Sequence, residues 1–390
     1  MKILIAPDKF KGSLSAREVA KNVALGLHDV LHDAEIAIVP MADGGEGTAE
    51  VICTALDGSW VACKAHDPLG REIDARYAWI EDKKLAVMEM SEAAGMWRLS
   101  ESERDPVRAT TFGVGELMLN AANRGANEII IGLGGSVTND AGFGMARALG
   151  FRFFASQEEL RGSVSELYKL TRIVSPSSGT SRPPLPERED RGEGNPSHGF
   201  RLSLPKIVAA VDVRNPLLGE NGATRIYGPQ KGVTADKIQI LERALGTLAD
   251  IVSKEFCVDY RDEPGAGAAG GLGFGLMSFC GAKIRPGFDV VAEAVDLESK
   301  MKAADLVITG EGSLDRQTLE GKTPSGVARL ARKLGKRVVA IAGRATTDRS
   351  VLEIFDRVYE SARPGMSERE NIQRAAELLR ERAQELARQL

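Results

Sequence analysis

The chain has 390 residues, of which 43% are hydrophobic, 27% charged and 5% aromatic, and its formal net charge is −4. That length can bury a large core and suggests two or three domains. A mildly acidic chain is a poor backbone-driven nucleic-acid binder, and no apolar run reaches membrane-spanning length, so neither partner is expected.

Residues 2–6 read as an apolar strand and 7–13 as a turn. Ser15 and Glu18 have capping-box spacing, and Val19, Val23 and Leu27 recur behind them, which predicts a helix. A strand over 36–40 delivers Met-Ala-Asp-Gly-Gly-Glu-Gly at its carboxyl end. Near residue 60 the character changes. Alternation across 73–80 and 84–90, with Asp82-Lys83 between, predicts an antiparallel hairpin. Residues 129–131 read as a strand that runs into a glycine-rich loop at 132–144, with a helix over 145–149. A further strand is expected over 207–211. Segments 305–309 and 337–342 look like buried parallel strands separated by a helix over 324–334, which resumes the style of the first 60 residues.

The expected fold class is therefore α/β. One domain is built from both chain ends, residues 1–60 and 288–390, and a mixed α/β domain, residues 61–287, is inserted between them. A cleft between the two is the natural ligand site. Residues 175–199, rich in Pro, Gly, Ser and mixed charge, read as a flexible excursion. Residues 367–390 form a terminal helix opened by a second capping box, Ser367 and Glu370. Ile372, Leu379 and Leu386 lie on one stripe of it, which is expected to dock on its own domain; a homodimer contact stays open. The amino terminus enters a strand at once, so no signal peptide is expected and cytoplasm is the default location.

The chemistry concentrates in strand-end loops. Asp8, Asp43, Asp140, Asp212 and Asp315 all stand in such turns, where a lone Asp is commonly an Asx cap. Their recurrence beside glycines argues instead for a hard cation and phosphates. Lys9, Lys11, Lys231 and Lys322 are placed to neutralise phosphoryl oxygens, or else are solvated loop charges. Glycine at 134 and 135 lets successive backbone N–H groups converge on an anion. Gly-Lys-Thr at 321–323 is no P-loop, because Arg316 stands where that spacing needs glycine. Gly-Leu-Gly-Phe-Gly at 271–275 fails as a dinucleotide fingerprint. Cys53, Cys63, Cys257 and Cys280 form no close metal-ligand pair and read as reduced. His28 and His32 sit one helical turn apart without a third ligand, and with His66 and His198 form no cluster.

On these residues the chain resembles the bacterial glycerate kinase family that includes the glycerate 2-kinases. The matching stretches are Ala-Pro-Asp-Lys-Phe-Lys-Gly-Ser at 6–13, Met-Ala-Asp-Gly-Gly-Glu-Gly-Thr at 41–48 and Gly-Leu-Gly-Gly-Ser-Val-Thr-Asn-Asp at 132–140. Further on come Asp-Val-Arg-Asn-Pro-Leu at 212–217, Tyr-Gly-Pro-Gln-Lys-Gly at 227–232, Pro-Gly-Ala-Gly-Ala-Ala-Gly-Gly at 264–271 and Val-Ile-Thr-Gly-Glu-Gly at 307–312. They occur in family order over nearly the whole chain. Val137 and Ala141 stand where Ala and Gly are common in the family, and Ser313 where a basic residue is frequent.

The resemblance implies a Rossmann-like domain from both chain ends plus the inserted domain, and phosphorylation of D-glycerate by ATP with Mg2+ to give 2-phosphoglycerate. Asp43 or Asp315 is then expected to face the reacting hydroxyl, with Lys9, Lys11 and Lys322 offsetting phosphoryl charge. The backbones of Gly134, Gly135, Ser136 and of Gly267, Gly270, Gly271, with Asn139 and Lys231, are expected around the nucleotide. Asp140 and Asp212 are expected near the metal. Asp8, Ser13, Glu311 and Arg344 are expected around the substrate, Arg344 as a bidentate clamp for its carboxylate. Three readings stay open beside this one: transfer to the 3-hydroxyl, a non-catalytic sugar-acid or nucleotide sensor, and, more weakly, a dehydrogenase.

Overall fold

The first strand, Lys2–Ile5, is buried from Ile3 onward, as a strand flanked on both sides in a parallel sheet must be. In this computed structural model it lies inside a five-stranded sheet. The structure describes residues 1–176 and 204–390, so most of the excursion expected at 175–199, and His198 with it, lies outside the described residues. The chain divides into two compact units, Met1–Asp57 with Pro286–Leu390, and Gly58–Arg285.

In the first unit the strand order is Arg357–Glu360, Arg337–Ala342, Leu306–Thr309, Lys2–Ile5, Glu35–Ile38, and every neighbouring pair is parallel. Helix Ala16–His28 joins the first strand to its neighbour. Ser15 and Glu18 form the expected capping box, and Val19, Val23 and Leu27 are buried. His32 lies past the end of that helix, so the pair with His28 is not a helical i,i+4 pair; the rings meet edge to face at 6.1 Å. Helix Thr323–Lys333 precedes Arg337–Ala342.

The carboxyl-terminal segment is two helices rather than one. Ser367 and Glu370 cap Glu368–Gln373, the helix breaks at Arg374, and Ala375–Arg388 follows. Leu379, Ala383 and Leu386 of the longer piece pack with Val19, Val23 and Leu27. Gly26 permits the approach: a Cβ there would sit 2.3 Å from the Arg380 carbonyl oxygen. Ile372 belongs to the short piece and stays exposed, so the predicted stripe is buried only in its second half.

The second unit holds a six-stranded mixed sheet. Lys283–Arg285, Lys206–Ala210, Glu128–Gly132 and Leu85–Glu89 are parallel; Glu72–Ile80 and Ser59–His66 are added antiparallel. The expected hairpin is thus present, with Ala78 opposite Val87 and a single turn Glu81–Lys83 between its strands. Its core runs from Trp79 and Met88 through Ile129, Ile131 and Phe143 to Leu245, Leu248 and Phe279. The architecture is α/β, with mixed sheet in one unit and helices contributed from both chain ends in the other. Among the described residues, no helix is long and apolar enough to cross a membrane.

Candidate active site

In the first unit the chain leaves Lys2–Ile5 for a strand on one side, while Leu306–Thr309 leads away on the other. Such a reversal of strand order leaves a crevice outside the carboxyl ends of the two central strands. Asp8 and Lys9 follow the first of these strands, Glu311 and Asp315 the second, and Asp43 follows Glu35–Ile38. Backbone bonds tie the loops together: Asp8 N–H donates to the Gly310 carbonyl at 2.8 Å and Met41 N–H to that of Pro7 at 2.9 Å.

Asp8 is buried. Its oxygens accept the Lys9 N–H and the Thr323 hydroxyl, each at 2.6 Å. Burial, and then the charge of Asp43, push its carboxyl up to about 7 against the pull of those two bonds. Glu311 is also raised, chiefly by burial, with Lys322 and Thr318 opposing and Asp315 and Asp43 adding. Thr318 links two of these acids: its hydroxyl donates to Glu311 at 2.8 Å and accepts the Asp315 N–H at 3.0 Å. Lys322 Nζ lies 3.8 Å from Glu311. Lys9 Nζ donates to the Glu46 carbonyl at 2.6 Å and stands 3.3 Å from its carboxylate. The half-buried Asp43 accepts the Gly45 N–H at 3.1 Å. Asp315 caps the short helix Arg316–Glu320 through the Gln317 N–H. Four carboxylates thus form one electrostatic group with lysines at its edge.

The remaining predicted residues of this unit are less engaged. Lys11 is exposed, and Ser13 donates its hydroxyl to the Phe10 carbonyl. Arg344 is exposed in the two-residue strand Arg344–Ala345, in register with Ser313 and 4.0 Å from Glu368.

In the second unit the glycine-rich loop follows Glu128–Gly132. Gly135 is exposed and Gly134 half-buried, whereas Ser136 through Asp140 are buried. Lys231 is the anchor beneath. Only 2% exposed, it donates to Ser136 Oγ at 2.7 Å and to the Thr138 carbonyl at 2.8 Å. Burial pulls its ammonium down to about 7, opposed by the charge of Asp140. Asn139 donates to Thr224 at 2.9 Å, while Thr138 Oγ1 and Asn139 Oδ1 are buried without a partner.

Asp140 differs from the metal ligand expected. It is buried and accepts the Thr111 N–H and hydroxyl and the Gly142 and Gly144 N–H groups, all at 2.9–3.2 Å. Donors converging on it from this many sides leave no lone-pair face for a cation, so it serves as an internal anchor. Burial nonetheless raises its pKa, against those same bonds. Gly270 and Gly271 also differ from an open phosphate cradle. They are buried at positive φ, and a Cβ on Gly270 would lie 2.0 Å from the Thr138 carbonyl oxygen. Gly267 is similarly shut against the Pro216 carbonyl oxygen, at 2.2 Å. Their glycines let two loops touch. Asp212 is half-buried just past Lys206–Ala210, apart in the chain from the acids of the first unit.

The family model described as the Glycerate kinase family matches residues 3–182 and 197–390. The chain belongs to the glycerate kinase family. It is 42% identical to the glycerate 2-kinase of Escherichia coli K12, over 90% of this chain and 87% of that one. It is also 42% identical to a glycerate kinase of Halalkalibacterium halodurans, over 87% of this chain and 85% of the relative. A crystal structure from Salmonella typhimurium LT2, assigned as a glycerate kinase 2, superposes with a TM-score of 0.84 at 38% identity. It covers all of this chain and 98% of its own.

In this family member the threonines were the residues that sequence reading missed. Thr111, Thr318 and Thr323 each hold an acid named from the sequence; Thr111 stands outside the glycine-rich stretches, and Thr323 closes the Gly-Lys-Thr run at 321–323 without having been given a role. The one available signal was Asp315-x-x-Thr318, a capping spacing in which the threonine replaces the usual Glu. Ala141 has φ 49°, a left-handed backbone that explains why glycine suits this position.

Proposed function

We propose that the protein is an ATP-dependent D-glycerate kinase that phosphorylates the 2-hydroxyl. The observation carrying this reading is the acid group of Asp8, Asp43, Glu311 and Asp315 edged by Lys9 and Lys322, in a chain of the glycerate kinase family. The two compact units support a Rossmann-like domain from both chain ends with an inserted domain.

Transfer forms a bond from the glycerate oxygen to the γ-phosphorus and breaks the bond to the β-phosphate, releasing ADP. The hydroxyl proton leaves to a carboxylate, which we assign to Asp43 or Asp315. Lys9 and Lys322, with Lys11 from the exposed loop, offset charge on the phosphoryl oxygens. Arg344 takes the glycerate carboxylate, and Ser13 and Glu311 line the substrate. Taken by itself, the inserted unit offers the backbone of Gly134 and the exposed Gly135 to a phosphate, with Ser136, Asn139 and Lys231 holding that loop in shape, while Gly267 packs against Pro216.

Among the described residues no three or more His, Cys, Asp or Glu are arranged to hold a metal ion. Mg2+ fits this chain as a partner of one or two of the clustered carboxylates, with phosphate oxygens and water completing its shell. The charge of Asp43, which helps to raise Asp8, marks negative charge that such a cation would relieve, and the chemistry it would supply is charge neutralisation between phosphates. Asp212 remains a candidate ligand. The four cysteines are free, which fits a reducing cytoplasm.

Phosphorus NMR of products from purified protein, D-glycerate, ATP and Mg2+ tests the reading. A 2-phosphoglycerate resonance is the expected result. A 3-phosphoglycerate signal would overturn the regiochemistry, and tight ligand binding without turnover would replace the kinase by a sensor.

A further inference from the structure

A cavity of about 360 Å3 lies within the inserted unit, lined by none of the residues given a role above. Its walls carry three arginines, Arg108, Arg147 and Arg161, and no carboxylate among the described residues. That volume is in the range of small-molecule sites.

Of the three, Arg161 is paired with Glu159 at 2.8 Å, and Arg147 is the half-buried one. Arg147 projects from helix Phe143–Ala148, its guanidinium carbon 5.4 Å from the Phe143 ring centre and 5.9 Å from that of Phe112. Both rings lie within cation–π range of the group, which has N–H donors to offer an oxyanion. The nearby acids already have partners, Glu159 among them with Arg161 of this wall. Glu159 already receives Arg152 and Arg161, each at 2.8 Å, Glu166 accepts the Gly162 N–H, and Glu116 pairs with His66 at 2.8 Å. Burial first, and the charge of Arg161 second, make the cationic form of Arg147 costly, although Glu159, Asp140 and Glu166 oppose this. Thr110, also on the wall, accepts the Phe112 N–H at 3.2 Å and keeps its own proton to donate.

We propose that this cavity binds a small phosphorylated acid, its phosphate held by Arg108, Arg147 and Arg161 with Thr110 adding a hydroxyl. A phosphate ester supplies the two negative charges and several oxygens that converging guanidiniums require, and the cavity leaves room for a few carbons beyond the phosphate. Occupancy bears on the glycine-rich loop. Thr110 adjoins Thr111, and Arg147 shares a short helix with Gly144; Thr111 and Gly144 both donate to Asp140 inside that loop. A ligand gripping Thr110 and Arg147 therefore restrains the two segments that hold Asp140. The inference is independent of the kinase reading.

Calorimetric titration of 3-phosphoglycerate into the full chain tests it, using a Lys9→Met/Lys322→Met background to suppress binding at the acid–lysine cluster. Saturable binding is expected to persist there and to weaken at least tenfold on adding Arg147→Gln. The same loss is expected from Arg108→Ser with Arg161→Ser, two exposed positions whose replacement leaves the fold intact. Binding that disappears in the background alone, or that ignores the arginine changes, overturns the proposal. Inorganic phosphate matching the ester's affinity would overturn the assignment to an organic acid.

Discussion

Asp8 and Thr323 stand 315 residues apart and share a 2.6 Å hydrogen bond. It ties the loop after the first strand to the start of helix Thr323–Lys333. The bond favours the ionised carboxylate, whereas burial and Asp43 favour the protonated one, and the balance leaves Asp8 at about 7. Thr323→Val removes a donor to the charged form and raises that value further. The acidic limb of the pH–kcat/KM profile is then expected to move to higher pH, and Thr323→Ser to restore it. An unmoved limb in both variants would detach Asp8 from the chemistry.

The same residue sets activity against stability. Its folded-state value lies above the ordinary 3.8, so its stabilising contribution is full below about 4 and is lost as pH rises through about 7. Asp8→Asn cannot ionise and escapes that loss. Relative to the parent, it is expected to gain stability at pH 8, on the order of a few kcal/mol at most, and to gain none at pH 4. Activity should fall at both. Denaturant unfolding at the two pH values, compared with turnover, checks the opposition.

Lys231 behaves in the reverse sense. Its value is depressed to about 7 from 10.5, so the unfolded chain binds more protons between those limits and stability from this group rises with pH across them. Lys231→Met should flatten that slope. It also frees Ser136 and strands the Thr138 carbonyl, so the loop loses its two ties from below. KM for ATP is expected to rise tenfold or more while kcat changes less. A KM unchanged by the substitution would confine Lys231 to a packing role.

How far these features could be read beforehand depended on the range of the interaction. Capping boxes at Ser15 and Ser367 and the 72–89 hairpin rest on neighbours in sequence, and they appear as the spacing predicts. Three strands of the first unit, at 2–6, 305–309 and 337–342, were legible as apolar runs, whereas Arg357–Glu360 was not, because charged residues stand at both its ends. The terminal helix was misread as one piece because the break at Arg374 carries no Gly or Pro. Roles inside the glycine-rich loops were hardest. A glycine that opens space for phosphate and one that lets a carbonyl approach look alike until the opposing backbone is placed, as at Gly270 and Thr138. Asp140 looked like a ligand for the same reason, since its partner Thr111 lies 29 residues away.

Gly270 provides a direct test of that distinction. Its φ of 69° and a Cβ position 2.0 Å from the Thr138 carbonyl oxygen both forbid a side chain. Backbone atoms cannot step aside as a flexible side chain would, so Gly270→Ala must shift the loop it touches. The cost is on the order of 3 kcal/mol or more, or a melting temperature lower by roughly 6 °C or more. Were the glycine there only to admit phosphate, ATP affinity would fall with the melting temperature intact. Calorimetric melting together with nucleotide titration separates the two.

Arg344 is the converse case, a residue whose loss should leave the fold untouched. It is exposed, lies on a two-residue strand, and its nearest acid, Glu368, is 4.0 Å away in an equally exposed position. Ion pairs of that kind contribute little to stability, because water screens them and two long side chains must be held still. The guanidinium is therefore available to a ligand, and its backbone, in register with Ser313, holds it beside the segment that carries Glu311 and Asp315. Arg344→Ala is expected to leave the melting temperature unchanged and to raise KM for glycerate at least tenfold, with KM for ATP little altered. Arg344→Lys should recover only part of the loss, since a single ammonium cannot make the paired bonds that a guanidinium makes to a carboxylate. If both variants bind glycerate normally, the carboxylate is held elsewhere, and the lysines of the acid cluster become the groups to replace next.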